Sequence, residues 1–237
     1  MISVCIATYN GGKYIQEQLS SILPQISADD EIVLSDDAST DDTLQLVQSF
    51  QDKRIKIIEG PHRHSPIWNF ENVLVHAKGD YIFLADQDDV WKPHKIETCL
   101  RWLATYDCVV SDAEVTDSEL NVTATSLYKM LHVRKGKLYN ACWKNGYTGC
   151  CMAFRRSILK LILPFPTDIP MHDIWIGNVA AFHYRVKFLD DKLIYFRRHN
   201  NANSCNGKGS RYSCWQQLLF RWKIIKNLIL LNRRLIR

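Results

Sequence analysis

The chain has 237 residues, room for one α/β domain and at most a small appendage, and enough to bury a sizeable core. Hydrophobic residues make up 46% and charged residues 23%, which excludes wholesale disorder, and no stretch offers ~20 uncharged apolar residues, which excludes a transmembrane helix. The formal net charge of +5 is modest but unevenly placed: acidic clusters fall in the first hundred residues, while the last forty are rich in Arg and Lys.

Taken in chain order, Ile2 to Ala7 is a short β-prone run, broken by Asn10-Gly11-Gly12. An amphipathic helix follows, with Ile15, Leu19, Ile22 and Leu23 on one face. Glu31 to Leu34 reads as a second strand ending in Asp36-Asp37, and Ser39 or Thr40 is placed to cap a helix carrying Leu44, Val47 and Phe50. Arg54 to Ile58 is a third strand, Trp68 to Ala77 a helix, and Asp80 to Ala85 a fourth strand stopped by Asp86-Gln87-Asp88-Asp89. Lys95 to Tyr106 is helical and Cys108 to Ser111 strand-like. Beyond residue 112 the pattern loosens. Leu127 to Lys137 shows no period and reads as a loop, Tyr147 to Phe154 as a strand, Asp173 to Phe182 as a helix, and Val186 to Phe196 as one or two strands. Asn200 to Ser210 is a polar loop, and Trp215 to Arg237 a final helix. The βαβα alternation implies an α/β fold with a parallel sheet flanked by helices. Ligands of such sheets bind outside the carboxyl ends of the strands, so residues 8–12, 36–42 and 86–89 are expected to share one crevice.

The eight cysteines form no C-x-x-C pair, so structural zinc is not expected. MISVCIATYN has no basic start and runs directly into a strand, so the chain is expected in the cytoplasm with reduced thiols.

Asp86-Gln87-Asp88-Asp89 is the most informative segment. Three carboxylates in four residues repel unless something positive compensates, and oxygen-only ligands at a strand end suit Mn²⁺ or Mg²⁺. A cation there would neutralise a departing diphosphate. The plainer alternative is a solvated acidic turn. Asp36-Asp37 could accept hydrogen bonds from a nucleobase N–H or a ribose hydroxyl, or cap a helix. Thr8-Tyr9-Asn10 ends the first strand, where backbone groups and a Tyr ring could hold a base.

Three segments in this order and spacing, SVCIATYN at 3–10, EIVLSDDASTDDT at 31–43 and GDYIFLADQDDVW at 79–91, resemble the family 2 glycosyltransferases of the GT-A fold. The likeness is strong over 1–115 and looser over 145–200. MHDIW at 171–175 and YFRRHNNAN at 195–203 are similar to the bacterial rhamnosyltransferase-like branch. The resemblance implies a Rossmann-like, mostly parallel sheet flanked by helices over 1–210. Residues 1–111 would be the nucleotide-binding half, 112–210 the acceptor-binding half, and 211–237 a basic amphipathic helix. It implies a nucleotide-sugar pocket of Ala7, Thr8, Tyr9, Asn10, Asp36, Asp37, Asn69, Asp86, Gln87 and His199. A metal would be held by Asp88, Asp86 and His199, with Asp173 as general base. Gly149, Trp91, His172 and Trp175 would meet the acceptor. The chain departs from many relatives at Ala38, where they carry Gly, at Pro66-Ile67-Trp68-Asn69, where they carry Ala-Arg-Asn, and at His172, where Glu is common.

The activity so implied is transfer of a sugar, rhamnose or another hexose, with inversion. The donor would be dTDP- or UDP-linked and the acceptor a carbohydrate or lipid-linked glycan in cell-surface polysaccharide biosynthesis. Two alternatives stand beside it, a sugar-nucleotide nucleotidyltransferase and a non-catalytic nucleotide-sugar-binding protein. Asn10-Gly11-Gly12-Lys13 is a poor triphosphate loop for the first, and no G-x-G-x-x-G follows the first strand as a dinucleotide enzyme would need. The tail sets Trp215, Leu218, Trp222, Ile225 and Ile229 at helical spacing among basic residues. That pattern suits peripheral contact with the inner face of the cytoplasmic membrane, and the alternatives are packing on the domain or on a second copy. Nucleic acid is not an expected partner.

Overall fold

The computed structural model describes residues 1–199 and 212–236. The expected loop at 200–210, the 210/211 boundary, the asparagines after His199, Cys205 and Arg237 lie outside them. The first half is built as the sequence pattern implies. Strands β1 (Ile2–Thr8), β2 (Glu31–Asp36), β3 (Ile55–Glu59) and β4 (Tyr81–Asp86) alternate with helices α1 (Ile15–Ile22), α2 (Thr43–Ser49) and α3 (Pro66–His76). The strands lie parallel in the order β3-β2-β1-β4. Thr8 is paired with Asp36 and Ala7 with Asp86, so the polar ends of three strands reach the same edge in register.

The second half closes the sheet with mixed pairing. A short β5 (Val90–Trp91) and helix α4 (Lys95–Leu103) lead to β6 (Cys108–Thr116), β7 (Val122–Ala124), α5 (Leu127–Leu131) and α6 (Lys137–Cys142). Then come β8 (Met152–Arg155), α7 (Leu159–Ile162), α8 (His172–His183), β9 (Val186–Arg197) and α9 (Cys214–Ile236). Strand β8 runs antiparallel between β4 and β6, β6 pairs parallel with β9, and β9 pairs antiparallel with β5. Because β5 directly follows the acidic turn, its pairing of Val90 with Tyr195 brings residues 86–89 beside the end of β9, more than a hundred residues later.

Several local expectations are corrected. Residues 127–131 are helical, not a loop: Ser126 accepts from the Lys129 amide, and Asp112 accepts from the Tyr128 amide and the Ser126 hydroxyl. Residues 149–151 form a 3₁₀ turn, and the strand begins only at Met152. The α4 helix stops at Leu103, three residues short of the expected end. Neither Ser39 nor Thr40 caps α2; the residue before it is Asp42, and the Ser39 hydroxyl binds Asp36 instead. Ala38, the position where the family resemblance implies Gly, adopts φ of 65°, a left-handed conformation that disfavours a Cβ.

The final helix carries two different faces. Ile224, Asn227 and Leu228 are buried, and α9 touches α6 and α8. Of the two sequence alternatives, packing on the domain therefore holds for this side. The opposite side keeps Trp215 and Trp222 largely exposed. No described helix is long and apolar enough to cross a membrane.

Helix α8 lies so close to Tyr147 that a Cβ on Gly177 would sit 2.1 Å from the ring's Cγ, and Tyr147 is itself buried. Ala is the better helix former by about 1 kcal/mol. A buried ring that must shift costs about 1–3 kcal/mol, so the packing loss should win. Gly177→Ala is thus expected to lower stability in urea unfolding; an unchanged or raised midpoint would show that Tyr147 yields freely.

Candidate active site

The carboxyl ends of β1, β2 and β4 form a floor of interlocked polar groups. Asp36 accepts hydrogen bonds from the Thr8 hydroxyl (2.9 Å), the Ser39 hydroxyl and the Ser39 amide. Asp37 accepts from the Arg63 and Ser65 amides, both at 3.0 Å, and so ties down the loop before α3. Both aspartates are buried and already engaged within the protein. Asn69 is buried too and donates to the Thr8 carbonyl at 3.0 Å; its own carbonyl oxygen has no partner. The Gln87 side chain pairs with both backbone groups of Tyr9, at 2.9 and 3.1 Å, stapling β4 to β1. Asn10 is held by Ser39 and Thr40. Of these expected nucleotide contacts, Tyr9 and Asn10 are the exposed ones, with the Tyr9 ring 4.5 Å from that of His64.

The glycine turn does not form a phosphate cradle. The Gly11 and Gly12 amides are taken by the Thr43 hydroxyl and the Asp41 carboxylate. A triphosphate loop would need those amides free, which removes the main support for a nucleotidyltransferase.

The acidic turn sits at the centre. Asp88 meets His199 at 2.8 Å, and both are partly buried. The β5–β9 pairing thus joins two of the three expected metal ligands. Asp89 is almost fully buried; one oxygen accepts the Arg197 amide at 2.9 Å, and the other has no partner. Burial, with the charges of Asp88 and Asp86, holds the Asp89 carboxyl well above the usual range. Burial, Asp88 and Asp173 likewise raise Asp86. Ligand atoms of Asp86, Asp89 and Cys150 lie within 4.8 Å of one another. The Cys150 thiol is kept protonated by its hydrogen bond with Cys151, by burial and by the facing carboxylates, so the available donors are oxygens. Crowded carboxylates and an orphaned buried oxygen fit a hard divalent cation. Asp86, Asp88 and His199 could hold it from the rim, with Asp89 behind.

Three supports of this turn, Lys95, Arg197 and Tyr14, are not among the expected site residues. Lys95 is fully buried, donates to the Cys150 carbonyl at 2.8 Å, and stands 4.6 Å over the Trp91 ring, so its charge offsets part of the acidic cluster. Arg197 is buried, ion-paired with Glu17 and donating to the Ser118 carbonyl, with its guanidinium 4.4 Å over Tyr14. The Tyr14 ring in turn lies 4.9 Å from His199. This arginine braces the strand end from within the fold. A buried Lys in a polar-looking stretch leaves no signal in one sequence; the spacing from Glu17 to Arg197 leaves none either.

Asp173 is in the first turn of α8, whose N-cap is Met171. Its carboxylate accepts from its neighbour Ile174's amide at 2.7 Å and from the Gly149 amide. Burial pushes its pKa up to about 6, against the pull of those amides. Gly149 is the floor under it: a Cβ there would stand 2.9 Å from the His172 ring and 3.5 Å from the Asp173 Cβ. Three residues expected on the acceptor side are interior instead. Trp91 is 3% exposed and packs on Phe83. Trp175 is 2% exposed and donates to the Ile162 carbonyl. His172 stacks on Phe70 at 4.0 Å with neither ring nitrogen partnered, and burial alone pushes its pKa down to about 3. Their size and aromaticity serve the core, not the surface.

Residues 3–163 match the family model described as "Glycosyl transferase family 2". The chain is 28% identical over 220 residues to the dTDP-rhamnosyl transferase RfbG of Shigella flexneri, covering 85% of this chain and 74% of that protein. It is 33% identical over 208 residues to the UDP-Glc:alpha-D-GlcNAc-diphosphoundecaprenol beta-1,3-glucosyltransferase WfaP of Escherichia coli, covering 87% and 80%. Its fold superposes on S. aureus TarS 1-349, solved with UDP-GlcNAc, at a TM-score of 0.74 and 19% identity, covering 96% of this chain and 66% of that one. The sheet is that of the GT-A glycosyltransferases, and with the family model spanning most of its length the chain belongs to glycosyl transferase family 2.

Proposed function

We propose that the chain is an inverting, metal-dependent transferase. It moves a hexose, rhamnose first among candidates, from a dTDP- or UDP-linked donor to a hydroxyl of a lipid-linked glycan. The product would serve cell-surface polysaccharide biosynthesis. The observation that carries this reading is the Asp173 carboxylate, fixed by two amides on a glycine floor and close enough to Asp86 to raise that group's pKa. A base held beside an acidic cation site is the arrangement that a single displacement at an anomeric carbon requires. Relatives with dTDP-rhamnosyl and UDP-Glc names support the donor class, and the diphosphoundecaprenol in one of those names supports the acceptor class.

In this reading residues 1–111 hold the donor and 112–210 the acceptor. Tyr9 and Asn10 border the nucleotide, while Asp36, Asp37, Asn69 and Gln87 shape its floor from beneath. Asp173 accepts the proton of the acceptor hydroxyl as its oxygen bonds to the anomeric carbon and the bond from that carbon to the diphosphate breaks. Mn²⁺ or Mg²⁺ held by Asp86, Asp88 and His199 would supply the positive charge that the leaving diphosphate needs. Arg197 keeps His199 beside Asp88 through Tyr14 and Glu17.

Two outcomes are expected. Asp173→Asn keeps the amide contacts but loses the basic oxygen, so kcat should fall by about 10²- to 10⁴-fold while calorimetric binding of the nucleoside diphosphate persists. Full activity of that variant would remove Asp173 from the role. A base works only when ionised, so kcat/KM should fall as pH drops below about 6, the value to which burial raises Asp173, and level off above it. A profile that stays level down to pH near an ordinary carboxylate's value, about 4, would contradict the assignment.

A further inference from the structure

We propose that the outward face of α9, continued by Trp143 just after α6, is a docking surface for an anionic lipid bilayer. Three tryptophans stand out into solvent there: Trp215 is 82% exposed, Trp143 69% and Trp222 61%. Soluble proteins rarely expose such side chains together unless something covers them. On α9 the exposed residues Trp215, Leu218, Trp222, Ile229 and Ile236 are spaced three, four, seven and seven apart, which is one stripe along a helix. That stripe lies opposite the buried Ile224, Asn227 and Leu228. The stripe is thus in addition to the contact that fixes the helix to the protein. Arg221 donates to the Trp143 carbonyl, joining the two aromatic parts into one surface.

Charge decides what covers this surface. Residues 214–236 contain Arg221, Lys223, Lys226, Arg233 and Arg234 and no Asp or Glu. The adjoining segment 129–144 adds Lys129, Arg134, Lys135, Lys137 and Lys144, again with no acidic residue. Lys226 and Lys135 pair with Asp168 and Asp190; the field around the stripe remains positive. A second copy docked face to face would oppose cations to cations with no carboxylate from either helix between them. Anionic headgroups supply the missing charge, and tryptophans at the boundary between headgroups and acyl chains bury their rings while keeping their N–H groups wet. With 23 residues and one side packed on protein through Ile224, Asn227 and Leu228, the helix lies along the interface. This places the chain against the phase that carries a lipid-linked acceptor, although the inference rests on exposure and charge and not on the transfer reaction.

The test is flotation of the full 237-residue chain with vesicles of phosphatidylcholine alone and of phosphatidylcholine mixed equally with phosphatidylglycerol. The chain should float with the anionic vesicles, stay behind with the neutral ones, and release as salt is raised. The double variant Trp215→Ala, Trp222→Ala alters only exposed side chains; with an unchanged melting curve it should bind the anionic vesicles about tenfold or more less tightly. Recovery of the wild-type chain in the soluble fraction with both vesicles would overturn the inference. So would equal flotation of the double variant, or a dimer in sedimentation that Trp222→Ala dissociates, which would assign the face to a second copy. A chain that floats yet transfers no sugar would refute the enzymatic reading and leave this one standing.

Discussion

Mutual repulsion among carboxylates at one sheet edge is the constraint around which the molecule is arranged. Asp86, Asp88, Asp89 and Asp173 converge, and burial together with their neighbours' charges raises the pKa of Asp86 and Asp89. A protein does not keep such a cluster at no cost. The surrounding elements supply partial relief: Lys95 from beneath, His199 beside Asp88, and the Arg197 amide on Asp89. What they leave unmet, an orphaned Asp89 oxygen and an incompletely compensated charge, is what a divalent cation and the diphosphate it binds would complete.

Topology does the gathering. The parallel β3-β2-β1-β4 half brings three strand ends to one level, and the antiparallel β8 then lets the chain turn back and return as β9 along β5. The acidic turn therefore meets His199 and Arg197 through strand pairing rather than through loop flexibility. Glu17 at one end of the chain and Arg197 near the other close the ring around Tyr14. Rigid strands place a catalytic constellation more accurately than loops do, and Asp173 has the same advantage from the first turn of α8.

The first half was largely legible in the sequence because its period-two strands and amphipathic helices repeat in simple alternation. Asp86-Gln87-Asp88-Asp89 was legible because charge packed after an apolar run has few structural explanations. The second half was harder. Leu127–Leu131 is a helix because Ser126 caps it and Asp112, from β6, holds both the Ser126 hydroxyl and the Tyr128 amide, a tertiary cause that no local period records. Gly149 to Cys151 reads as apolar and strand-like but turns tightly beneath α8. Trp91, His172 and Trp175 are acceptor contacts only by the family resemblance, and large rings of this kind fill cores as well as binding sites. Gln87 and Asn69 turn their amides toward the backbone of Tyr9 and Thr8, stiffening the strand ends, and leave the Asn69 carbonyl oxygen without a partner.

Carboxylates distant in the chain would thus form one cation site for a nucleoside diphosphate. Anomalous scattering from a crystal grown with Mn²⁺ and UDP or dTDP tests it most directly. The expected result is a manganese peak in coordination contact with Asp88, with diphosphate oxygens completing its shell. A peak elsewhere, or bound nucleotide with no metal near Asp88, would contradict it.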